Sequence, residues 1–146
     1  MHTFRLVFVA IVLVGMVANC SRPAGDCTET NMPRVSGTWK GVVHLGARGT
    51  VPITFNLNQN NECVNGAWMS EDDTALGSSA GAVTGSVDEM SRLELILDPI
   101  GWDACALDAA LTLRDGVIAG SIRHRDCPTP VSGSLELNQI RRHREQ

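Results

Sequence analysis

Few residues in this sequence are of a type and spacing that do chemistry. Its five cysteines stand at 20, 27, 63, 105 and 127, with no CxxC pair, which sets zinc and dithiol redox chemistry well behind cross-linking. Glu71-Asp72-Asp73, with Asp98 or Asp126, offer the oxygen ligands that Ca²⁺ takes. Their spacing is not that of an EF-hand loop, so a solvated acidic loop is the plainer reading. No Ser-His-Asp order and no HExxH occurs. His124 is a candidate to orient a polar ligand group, with Trp102 nearby, although a satisfied histidine at a strand end is the commoner case. Cross-linking and binding are thus the expected chemistry. No enzyme, cofactor or metal centre is expected.

The elements that position these residues follow a leader. Met1 to Arg5 carries one positive charge, and Leu6 to Val17 is apolar except for Gly15. That run is shorter than the ~20 residues of a membrane-spanning helix, and small residues end it, as in an export signal. Val17-Ala18-Asn19-Cys20 resembles the lipobox of bacterial lipoproteins, in which the cysteine is lipidated and becomes the mature N-terminus. The resemblance implies a signal peptide over 1–19, lipidation of Cys20 and anchoring in the cell envelope. Ser21 rather than Asp after the cysteine implies the periplasmic face of the outer membrane in a Gram-negative source. Ordinary cleavage nearby, leaving Cys20 as a further disulfide partner, is the alternative. Arg5 is the leader's one charged residue, so the mature chain keeps 11 of the 12 Lys+Arg against 16 Asp+Glu. That excess of acid argues against nucleic acid as a partner. In an exported chain, Cys27, Cys63, Cys105 and Cys127 read as two disulfides.

Residues 20–34 hold Pro23, Gly25 and Pro33 without apolar periodicity and form a tether. From 35 to 140 the apolar period is two, the signature of half-buried strands. Trp39, Gly41, Val43 and Leu45 share one face of the first run, and Val51, Ile53, Phe55 and Leu57 one face of the second. A turn centred on Asn60-Asn61 sets Leu57 opposite Val64, Phe55 opposite Gly66 and Ile53 opposite Trp68. A turn at Asp88-Glu89-Met90-Ser91 aligns Val83, Gly85 and Val87 with Leu97, Leu95 and Leu93. Asp115-Gly116, both tolerant of positive φ, pairs Leu113 with Ile118, Leu111 with Gly120, Ala109 with Ile122 and Leu107 with His124. The same register puts Asp108 across from Arg123. Cys105 and Cys127 fall at the open end of that hairpin, close enough to bond across a bulge, which leaves Cys63 for Cys27. Val131, Gly133, Leu135 and Leu137 face inward in the eighth run. A short helix near Asp103 to Ala110 is the only helical signal.

Eight such runs with mostly short links predict an all-β fold, an eight-stranded antiparallel up-and-down β-barrel in which neighbours in sequence pair. Its closed end gathers Trp39, the tight turns, Cys63 and the tether. Its mouth gathers the longer links, braced by Cys105 and Cys127. Gly37-Thr38-Trp39 at the start of the first strand resembles the GxW signature of the lipocalins and the GTW opening of the avidin family. The lipocalin likeness implies that Arg141, or its neighbour Arg142, packs over Trp39 and closes the base by a cation–π contact. Against avidin, Lys40-Gly41 replaces the asparagine used there to grip biotin, so biotin binding is not implied. The remaining basic tail, 141–146, reads as solvated.

Two functions fit a lipid-anchored envelope barrel. One is binding of a small apolar ligand in the barrel, by Trp39, Phe55, Trp68, Trp102 and His124. The other is a protein-interaction module with a filled core, such as a periplasmic protease inhibitor or an envelope assembly accessory. Neither ligand nor protein partner is identified by the sequence.

Overall fold

In the computed structural model, residues 31–71, 75–101 and 104–140 are described. Eight strands follow one another: β1 Gly37–His44, β2 Thr50–Asn60, β3 Cys63–Ser70, β4 Ala80–Val87, β5 Arg92–Pro99, β6 Leu107–Arg114, β7 Val117–His124 and β8 Ser132–Gln139. Every strand pairs antiparallel with its sequence neighbours. β8 returns to β1, so the sheet closes on itself as an up-and-down barrel. The seam runs from Trp39 opposite Gln139 to His44 opposite Ser134. Closure leaves no strand edge with unpaired backbone groups, the hazard an open sheet carries. The only helical element among the described residues is a 3₁₀ turn at Gly46–Arg48. No helix forms between Ala104 and Ala110, because Leu107 to Ala110 is taken into β6 and its ladders to β5 and β7. β5 runs through Pro99, whose missing N–H is tolerated at the strand end.

The period-two pattern is realised as two faces. Residues on the inner set, among them Val43, Val83, Leu107, Ile118 and Leu137, are fully buried, while their neighbours in sequence point outward. The β4–β5 and β6–β7 registers match the expected ones pair for pair. Ser91 and the Asp115-Gly116 pair take the positive φ their turns require. Asp88 staples the first of these turns, accepting from the backbone N–H groups of Met90 and Arg92 at 2.9 Å each and from Arg92 Nε at 2.7 Å. Those bonds, the Arg92 amide first, hold the Asp88 carboxyl below its ordinary pKa.

The β2–β3 hairpin differs from expectation. Its turn is Asn61-Glu62, with Asn61 at φ 54°, and Asn60 is still paired, opposite Cys63. Leu57 therefore faces Gly66, Phe55 faces Trp68 and Ile53 faces Ser70. The shift is two residues along β3, so inner residues stay inner. Its cause is Gln59, which is held in the strand by the incoming chain. The Gln59 N–H donates to Ser36 Oγ (2.9 Å), its side-chain oxygen accepts from the Val35 N–H (2.8 Å), and its side-chain nitrogen donates to the Pro33 carbonyl (3.0 Å).

Candidate functional site

The corrected register brings three of the proposed ligand residues onto one rung. Trp39 stands opposite Phe55, Phe55 opposite Trp68, and Trp68 opposite Gly81. Gly81 is required there. A Cβ would overlap the Trp68 indole on one side and the Asp98 carbonyl on the other. The three aromatics are core, however, and not the lining of an open pocket. Trp39, Phe55 and Trp68 are 1%, 0% and 0% exposed, and Leu95, Leu107, Ile122 and Leu135 around them are at most 2% exposed. These seven side chains pack together as part of the hydrophobic core.

Both ends of this packed interior are stoppered by residues outside the strands. At the base, Val35 is fully buried, and its carbonyl accepts the Trp39 indole N–H at 2.8 Å. The proposed partner of that tryptophan, Arg141, lies outside the described residues, as does Arg142. At the mouth, the β3–β4 link turns inward and buries Ala75 and Leu76 in the same core cluster. Ser78 Oγ bridges the carbonyls of Ala80 and Ile100 at 2.8 and 2.9 Å, tying that link to the end of β5. Leu76 lies in the longest link and belongs to no alternating run, while Val35 precedes β1 in phase with Trp39.

His124 faces inward at the mouth end of β7, opposite Leu107. Its Nδ1 lies 3.2 Å from the Val131 nitrogen. Burial holds its pKa below the ordinary 6.5, and the Arg48 cation acts in the same direction against the opposing Thr129 carbonyl. Nε2 of His124 and Nε1 of Trp68 are buried without a hydrogen-bond partner among the described residues. Trp102, expected beside His124, lies outside them. So do Asp72 and Asp73 of the acidic loop, while Glu71 and Asp98 are exposed.

The mouth is braced as expected by a Cys105–Cys127 disulfide. Cys63 is also disulfide-bonded; its expected partner Cys27, like Cys20, is outside the described residues. Asp108 does meet Arg123, at 3.9 Å, but its short contact is to Arg125 Nη2. The expected cross-strand pair is therefore the weaker half of a three-residue cluster, since Arg125, just past β7, reaches back over the same carboxylate. A concavity on the outer wall is lined in part by the small side chains of Ser86, Ala110, Ser121 and Ser134.

Fold and site together define a closed eight-stranded antiparallel up-and-down β-barrel, an architecture consistent with the calycin-type likeness of its opening residues. Compared with known proteins, the chain matches no family model, no curated protein and no solved structure.

Proposed function

We propose that this chain is a non-enzymatic, exported protein, lipid-anchored through Cys20, whose barrel acts from its outside as a protein-interaction module in the cell envelope. A periplasmic protease inhibitor or an envelope assembly accessory are the kinds of role this covers. The leader and the Val17-Ala18-Asn19-Cys20 segment support the anchor, and two or more acyl chains on one residue give the stable membrane attachment that a single chain lacks. Ser21 supports the periplasmic face of the outer membrane in a Gram-negative source. The observation that supports the interaction reading is the aromatic rung, since Trp39, Phe55 and Trp68 are closed to water and line no open pocket. Native mass spectrometry of protein purified from its own envelope tests both parts. The expected spectrum is a chain beginning at an acylated Cys20 with no small-molecule adduct. A retained apolar molecule in stoichiometric amount overturns the interaction reading, and an unacylated N-terminus overturns the anchor.

The second reading, a small apolar ligand admitted at the mouth, is favoured by two buried ring nitrogens without a partner among the described residues, Trp68 Nε1 and His124 Nε2. A ligand carboxylate or carbonyl would satisfy them where an empty site leaves their desolvation uncompensated. Saturable quenching of tryptophan fluorescence by a fatty acid, lost in His124→Ala, supports this reading; its absence removes it.

A further inference from the structure

Among the described residues, the outer wall carries an exposed apolar patch at one end. On the first of two adjacent rungs at the mouth end of β3, β4 and β5, Met69 pairs with Ala80, and the Ile100 N–H donates to the Ala80 carbonyl at 2.9 Å. On the next, Ala67 pairs with Ala82 and Ala82 with Asp98. Five of the six belong to the outward set of their strands, and Ile100 stands one residue past β5 beside Ala80. Met69 is 52% and Ile100 73% exposed, so two large side chains stand in water on a floor of three alanines. Contiguous exposed apolar surface of this kind marks a contact site, whereas scattered single residues do not.

Charge narrows what the contact is with. The exposed Asp98 lies within the patch and the exposed Glu71 two residues beyond Met69. From Glu71 to Asp103 the sequence holds eight carboxylate side chains and one cation, Arg92, which is bound to Asp88 at the opposite end of the barrel. A second copy laid on this face would set Asp98 and Glu71 against their own equivalents, and an anionic bilayer would be repelled in the same way. The patch also lies at the end away from Val35 and Gln59, where the incoming chain docks.

We infer that the Met69–Ala80–Ile100 face is the docking surface for a polypeptide partner that presents an apolar side chain flanked by Lys or Arg. This inference rests on the interaction-module reading and gives it a location and a partner chemistry. Met69 and Ile100 would clasp the apolar anchor while Asp98 and Glu71 steer and hold the cations, an arrangement that speeds encounter and weakens with salt.

The test uses the folded chain and three labelled decapeptides that share one Trp-Leu anchor and carry four lysines, no charge or four glutamates. Fluorescence anisotropy should give saturable binding for the lysine peptide alone, weakened several-fold by raising salt from 20 to 200 mM (chosen conditions, about one Debye-length halving or more). Ile100→Asp and Asp98→Lys should each weaken it about tenfold or more. Ser121→Asp, on the opposite wall, should leave it unchanged. These are exposed positions, and circular dichroism confirms that each variant is folded. Equal binding of all three peptides, binding of none, or indifference to Ile100→Asp overturns the inference. A dimer that sedimentation detects and Ile100→Asp abolishes also overturns it, in favour of a second copy. A cargo molecule found by native mass spectrometry instead sinks the reading beneath it, whatever the peptides do.

Discussion

Burial and the neighbouring Arg48 cation lower the pKa of His124 against the opposing Thr129 carbonyl. Its folded pKa lies below the ordinary 6.5, so on acidification the unfolded chain takes up the proton first. The stability this residue contributes is whole above about pH 6.5 and is lost as pH falls through the window below it. Urea unfolding at stepped pH between 7 and 5 should show a falling midpoint, and His124→Gln should flatten that slope. Gly81 acts at the same scale by having no side chain. In Gly81→Ala the added methyl must displace the Trp68 ring or the Asp98 strand. Overpacking of this kind costs about 1–3 kcal/mol, read as a lower denaturation midpoint with altered near-ultraviolet dichroism from the tryptophans.

Among the elements, the β6–β7 hairpin was the most legible, because Asp115-Gly116 admits one tight turn and the apolar faces agree with it. The β2–β3 hairpin was not. Asn60-Asn61 and Asn61-Glu62 both keep the inner set inside, and the choice between them is made by Gln59 bonding to a segment some 25 residues earlier. The Cys105–Cys127 disulfide closes the mouth end of β6–β7 across 22 positions. Replacing both cysteines by serine should lower stability by about 2–3 kcal/mol, mostly by freeing the unfolded chain. Guanidinium titration measures it, and the β-sheet dichroism of the native state should persist.

At the scale of the whole molecule, the β1–β8 seam makes all strands equivalent in their backbone bonding. Hydrogen exchange should therefore protect the amides of β1 and β8 as strongly as those of β4 and β5. Fast exchange confined to either terminal strand would mean an open sheet. Filling of the barrel is also a property at this scale. Strands with six inward-facing glycines can enclose either a flattened solid core or a pocket, and the outcome depends on how the strands coil where a glycine lets one backbone press on the next. At Gly41, for instance, a Cβ would strike the Glu136 carbonyl across the seam.

What the sequence determined by itself was periodic and local: alternation that makes strands, turn residues that accept positive φ, and link lengths that oblige neighbours to pair. Eight strands, their faces and the closure of the sheet follow from these. Only the tertiary structure decided that Trp39, Phe55 and Trp68 share one buried rung and that Val35 and Leu76 join the core at its ends. It also decided that Met69 and Ile100 meet beside Ala80 on the outer wall. A lone apolar residue in a link carries no period. Its burial is set by the volume that all eight strands leave at the two ends, a sum that no short stretch of chain contains.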